Sequence, residues 1–125
     1  MKFSANLGFL WIDLSLPDAI RAAGAAGFDA VELHWPFDTL GSDVQEALAD
    51  AGIPCLGLNT RRGNLAAGER GLAAVPGREE EARALIDEAL GYATLMGCDA
   101  VHVMSGNTHD TAAQATLVEN LRYAS

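Results

Sequence analysis

Four times along this chain a strand-like apolar stretch is followed by a segment with helical spacing, and that alternation restricts the fold more than any other feature. Residues 2–6 (Lys-Phe-Ser-Ala-Asn) alternate polar and apolar, as a half-buried strand does. Residues 29–34 (Asp-Ala-Val-Glu-Leu-His), 54–59 and 99–104 supply the other three strands, with Pro54 at the first position of its strand, where a missing N–H is tolerated. Pro17 stands near the start of a first helix that keeps Leu16, Ile20 and Ala23 in register and stops at Gly27. Ser42 and Gln45 have capping-box spacing ahead of a second helix with Val44, Leu48 and Ala51 inward. Residues 78–96 form the longest helix, with Ala82, Leu85, Ile86, Ala89, Leu90 and Ala93 inward, and residues 112–123 form a fourth with Leu117, Val118 and Leu121 inward.

Strands separated by helices pair in parallel through right-handed crossovers. Gly27-Phe28-Asp29-Ala30-Val31 recurs two units later as Gly97-Cys98-Asp99-Ala100-Val101, so the units resemble one another. A doubly wound sheet carries five or six strands and a glycine-rich first turn, and Leu7-Gly8-Phe9-Leu10-Trp11 is no phosphate cradle. A closed (β/α)8 barrel takes about 250 residues, so four βα units point to half of such a TIM barrel. The 125 residues suit a single domain, 1–125.

Half the residues are hydrophobic, enough for a packed core. A formal net charge of -9, from eight basic and seventeen acidic side chains, argues against a nucleic-acid partner, which needs a concentrated basic surface. The longest apolar run, residues 7–12, is far short of the roughly 18–20 residues of a membrane span, so no membrane partner is expected and the chain reads as cytoplasmic. Cys55 and Cys98 form no C-x-x-C pair and are expected to be buried, reduced thiols.

Polar residues interrupt the strands on one face. Residues two apart in a strand point the same way, which groups Ser4 with Asn6, Glu32 with His34 and Gly57 with Asn59, and sets His102 opposite Val101 and Val103. A strand covered on both sides reads as continuous hydrophobics, so these exceptions mark either satisfied interior groups or the floor of a site at the carboxyl ends of barrel strands. The loop of residues 60–77 adds Arg70 between Gly68 and Gly71, a guanidinium free to fork onto a carboxylate or to pair with Glu69. Trp11, Trp35 and Phe37 follow the first two strands and either wall a small pocket or pack as ordinary core. Glu79, Glu80 and Glu81 sit in a helix first turn, where negative charge suits the dipole, and His109 is placed in solvent. No metal-ligand spacing, nucleophile elbow or phosphate loop is present, so no catalytic residue and no metal ligand is assigned.

Several segments together resemble the hydroxypyruvate isomerases, members of the xylose-isomerase-like sugar isomerase/epimerase barrels. They are Phe3-Ser4-Ala5-Asn6-Leu7, Val31-Glu32, Pro36-Phe37-Asp38, Ala66-Ala67-Gly68-Glu69-Arg70-Gly71, Pro76-Gly77-Arg78-Glu79-Glu80-Glu81 and the stretch from Ala115 to Ala124. The chain departs from the pattern at Leu58 and at Thr60-Arg61-Arg62. The resemblance implies an intramolecular oxidoreductase of the aldose–ketose type, interconverting hydroxypyruvate and tartronate semialdehyde through an enediol. It implies a divalent metal, magnesium or manganese, held with two proton-exchanging glutamates in later strands of the intact enzyme, and no cofactor in these four units. The chain then corresponds to the amino-terminal half, inactive alone, with Asn6, Glu32, His34, Asn59, Arg70 and His102 as contacts for a small hydroxy or keto acid. A non-catalytic half-barrel or assembly module is the alternative. Either way, four parallel strands with open edges are expected to self-associate, most simply as a homodimer.

Overall fold

Parallel pairing organises the chain. In the computed structural model, which describes residues 1–125, β1 (Ser4–Asn6), β2 (Ala30–Glu32), β3 (Cys55–Asn59) and β4 (Ala100–His102) form one sheet in the order β1-β2-β3-β4. The helices α1 (Leu16–Ala25), α2 (Gly41–Ala51), α3 (Glu79–Met96) and α4 (Ala113–Ala124) follow the strands in turn, with a short 3-10 turn at Leu65–Ala67. Four parallel strands alternating with helices are half of a (β/α)8 barrel, the architecture expected from the count of units.

Register decides which side chains meet. Ser4 stands beside Ala30, Ala5 beside Val31 and Asn6 beside Glu32. Between β2 and β3 the register shifts, Val31 pairing with Cys55 but Glu32 with Gly57. The extra residue is Leu56, which is 44% exposed. Strict alternation would put Cys55 and Leu58 on opposite faces, yet both are buried, because the irregularity resets the period within β3.

Contacts divide the chain into two compact units, Met1–Leu58 with Gly91–Val101, and Asn59–Leu90 with His102–Ser125. In the first, α1 packs on α2 and buries Ala19, Ile20 and Ala23. Ser15 caps α1 by accepting the Asp18 N–H, and Pro17 occupies the first turn, where an N–H has no intrahelical partner. The capping box read at Ser42 and Gln45 is not made. Leu40 is the N-cap and offers no side-chain bond, so Ser42 lies inside the helix, and Gln45 donates to the Leu95 carbonyl at 2.8 Å.

The same unit corrects the cysteine reading, since Cys55 and Cys98 form a disulfide, not two thiols. Cys55 opens β3 and Cys98 lies two residues ahead of β4, so adjacent parallel strands bring the pair to a Cα–Cα distance of 5.4 Å across 43 residues of sequence.

In the second unit the early turns of α3 bury Ala82, Ile86 and Ala89, a stripe at helical spacing. Leu90, read as inward, is 37% exposed. The face expected of α4 is also corrected. Thr116 and Asn120 are buried, while Val118 and Leu121 are 39% and 44% exposed. The cause is pairing. Asn120 donates to the Ala73 carbonyl at 2.8 Å and accepts from Arg83 Nε at 3.2 Å, and an amide bonded through both its nitrogen and its oxygen can be buried where an unbonded one cannot. No helix is long and apolar enough to cross a membrane.

Candidate functional site

Each of the four strands ends on a polar residue. Asn6, Glu32, Asn59 and His102 are the last residues of β1, β2, β3 and β4, and the carboxyl ends of parallel barrel strands are where such folds place their chemistry.

Within the first unit Asn6 and Glu32 meet. The register puts them side by side, and Asn6 Nδ2 lies 3.5 Å from Glu32 Oε2, at the long limit of a hydrogen bond. Asn6 Oδ1 accepts the Gly8 N–H at 3.0 Å, so the same side chain also shapes the loop that follows β1. Ser4, two residues back on that face, carries a buried hydroxyl with no hydrogen-bond partner.

His34 does not join this face as a strand residue. β2 ends at Glu32, and His34 turns into the left-handed region with φ 55. Its ring lies against the Gly8 backbone, so closely that a side chain at position 8 would collide with Nδ1. Phe9 meets it edge-on at 5.0 Å between centroids, and Trp35 lies 4.6 Å away. A cavity of about 220 Å³ opens here, lined by His34, Trp11, Trp35, Leu7, Leu14 and Thr39, among others. Trp11 and Trp35 therefore do wall a pocket. Phe37 does not, because it packs edge-on against Tyr92 at 5.7 Å. Trp11 also has a positive φ of 52, so two non-glycine residues around this cavity are held in a costly conformation.

The second unit holds Asn59, Arg70 and His102. Asn59 is half-buried at the end of β3, and the next residue, Thr60, donates its N–H to the His102 carbonyl at 3.0 Å. Thr60 is itself buried, and its hydroxyl accepts the Met104 N–H at 3.0 Å, which ties the exits of β3 and β4 together. Nothing in the local sequence marked Thr60 for that role. His102 is exposed, as is His109.

Arg70 is exposed on the loop between β3 and α3, and its only side-chain bond runs from Nη1 to the carbonyl of Glu69 at 2.8 Å. The alternative of an ion pair with the Glu69 carboxylate is not realised. That carboxylate faces Arg78 instead, with Oε1 2.7 Å from Nη1. Glu79 accepts the Gly77 N–H at 3.0 Å and Glu81 pairs with Arg78, so both serve the start of α3.

No group of three or more His, Cys, Asp or Glu side chains is gathered that could hold a metal ion. The residues present do not fit the divalent ion that the resemblance implies, and no step through a metal is derived for this chain.

Alternating parallel units with polar strand ends define a class, and the chain belongs to the xylose isomerase-like TIM barrel family, whose model matches residues 20–125. It is 42% identical to a 2-oxo-tetronate isomerase of Pectobacterium atrosepticum, over 98% of this chain and 48% of that protein. It is 40% identical to a putative hydroxypyruvate isomerase of Xenopus laevis, over 99% of this chain and 48% of that one. A crystal structure titled AP endonuclease, family 2, from Brucella melitensis superposes with a TM-score of 0.92 at 38% identity, covering 98% of this chain and 49% of that chain. The chain thus spans about half the length of the curated relatives it matches.

Proposed function

We propose that this chain supplies substrate contacts to an isomerase of small hydroxy and keto acids, with the hydroxypyruvate–tartronate semialdehyde pair as substrate and product. The observation that carries this reading is the run of polar strand ends, Asn6, Glu32, Asn59 and His102, followed in the loop after β3 by an arginine without an acidic partner. The isomerisation shifts a carbonyl between C2 and C3: a proton leaves C3, an enediol forms, and a proton returns at C2. Arg70 takes the substrate carboxylate, which is neither made nor consumed, with two parallel N–H bonds. Asn6 and Glu32, already side by side, hold hydroxyl or carbonyl oxygens of the three-carbon skeleton, and Asn59 and His102 contribute further polar contacts. No residue of this chain is assigned as the base or as the group that stabilises the enediolate, so the chain alone is expected to be inactive.

The name carried by the Brucella structure suggests a second chemistry, the cleavage of nucleic acid. The net charge of -9 speaks against it, because a phosphodiester backbone is bound through concentrated lysine and arginine.

The test is kinetic. In an intact enzyme that contains this chain, Arg70→Ala lowers kcat/KM for hydroxypyruvate by about ten- to a hundredfold, the loss of one charge-assisted pair. Arg122→Ala, which breaks an exposed pair with Glu119 at 2.6 Å, leaves it unchanged. Equal kinetics for the two variants overturn the role of Arg70. Metal-dependent turnover by the pure 125-residue chain, above a metal-only blank, overturns its inactivity. An intact protein without isomerase activity favours the assembly-module alternative.

A further inference from the structure

The acid nearest to Arg70 in sequence is Glu69, and two neighbouring, partly exposed, opposite charges would ordinarily pair. Here they do not. Glu69 Oε1 accepts from Arg78 Nη1 at 2.7 Å, while Oε2 accepts the Asn64 backbone N–H. Those two bonds, the Arg78 one first, hold the Glu69 carboxyl below the usual carboxylate range. Arg78 also sends Nε and Nη2 to the two oxygens of Glu81 at 2.6 and 2.7 Å, so one guanidinium spans the loop and the first turn of α3.

The loop is built to keep Glu69 turned that way. Asn64 Oδ1 accepts the N–H groups of Ala66 and Ala67. The Glu69 carboxylate passes directly over Gly63, φ 83, where a side chain would collide with Oε2. On the other side of Arg70, Gly71 donates to the Arg62 carbonyl at 2.8 Å and bridges to Ser105. Arg70 lies between two fixed points, bonded only to a carbonyl.

We propose that Arg78 is a positioning residue: by engaging Glu69 it keeps the neighbouring Arg70 guanidinium available to a small carboxylate. This rests on the reading of Arg70 as the carboxylate contact. Remove Arg78, and Glu69 swings to the nearest cation and neutralises it. The effect is electrostatic competition, so it is screened by salt and disappears when Glu69 carries no charge. A purely structural role for Arg78 has neither property.

The experiment titrates an intact enzyme that contains this chain, kept metal-free so that no turnover occurs, with hydroxypyruvate and follows the Arg70 Nε–H signal by NMR. The wild-type signal shifts saturably, and Arg70→Ala abolishes the response. Arg78→Ala weakens binding about fivefold at low salt, the scale of an exposed ion pair in competition, and less at high salt. The double variant Arg78→Ala/Glu69→Gln returns to wild-type affinity, since glutamine can still accept the Asn64 N–H but cannot compete for Arg70. Should Arg78→Ala fail to fold, Arg78→Lys and the single Glu69→Gln decide. The lysine weakens binding because it cannot span both carboxylates, and Glu69→Gln binds at least as tightly as wild type. An Arg78 variant that binds like wild type, or a double variant as weak as Arg78→Ala, overturns the positioning role and leaves the Arg70 reading standing. A wild-type intact enzyme with no response at Arg70 overturns both.

Discussion

Asn120 shows how a single polar residue can settle a helix face. Its amide joins the Ala73 carbonyl to Arg83 Nε, and the Arg83 guanidinium lies over the Tyr123 ring at 5.0 Å. Asn120→Ala leaves a buried carbonyl without its donor and is expected to cost about 1–3 kcal/mol in urea unfolding. Val118→Ala, on the exposed side of α4, is expected to cost about 0.5 kcal/mol or less. Equal losses would mean the two faces are misassigned. Periodicity could not make this assignment, because Leu117, Val118 and Leu121 carry the apolar signal while the partners of Asn120 lie 37 and 47 residues away. The acids around Arg78 give a pH dependence with a defined sign. Glu69 and Glu81 are lowered chiefly by hydrogen bonds from Arg78, and Glu79 by backbone N–H groups of Glu79 and Gly77. A carboxyl lowered in the folded state binds fewer protons there than in the unfolded chain. Its contribution is therefore complete above the ordinary value of 4.5 and is lost as pH falls through the lowered folded value. Thermal midpoints taken from neutral to acid pH should fall less steeply for Glu69→Gln than for wild type. Parallel curves would show that the Glu69 bonds contribute nothing.

At the scale of elements, the strands are shorter than their apolar runs. Residues 29–34 read as one strand, but pairing stops at Glu32 and His34 turns away under the packing of Phe9, Trp35 and Gly8. The period-two reading therefore located Glu32 correctly and misplaced His34. The helices kept their expected places to within a few residues, since their signals are local: Pro17 at the start of α1, and the alanine-rich stripe of α3. The disulfide depends on strand adjacency, which no local signal carries. By tying the start of β3 to the approach to β4 it closes a long loop, and Cys98→Ser or reduction is expected to lower the unfolding free energy by about 2–4 kcal/mol, mainly through the unfolded state. Chemical unfolding with and without reductant measures it, and an unchanged midpoint would remove the cross-link from the account.

For the whole molecule, β1 and β4 are the edges of the sheet. An edge strand presents unpaired N–H and C=O groups, and several large apolar side chains are also left to solvent, among them Phe3 at 59%, Phe9 at 73% and Ile12 at 75%. We expect self-association in the low micromolar range, most simply as a two-fold dimer. Sedimentation that finds a well-folded monomer would mean the edges resist pairing.

The sequence by itself determined the class of fold and the places of Asn6 and Asn59 at the ends of their strands, because both follow from patterns a few residues long: a period of two, a period near four, and the breaks between them. It also supplied the Gly-Glu-Arg-Gly loop and the segments that resemble an isomerase family. Tertiary structure alone decided which charges on that loop are spent. Glu69 is beside Arg70 in sequence but bonded to Arg78, nine residues from it, and only the folded path of the loop makes that partner available. The Cys55–Cys98 bond and the inward turn of Asn120 have the same origin: each rests on groups that the chain brings together only after the parallel strands and their helices have packed.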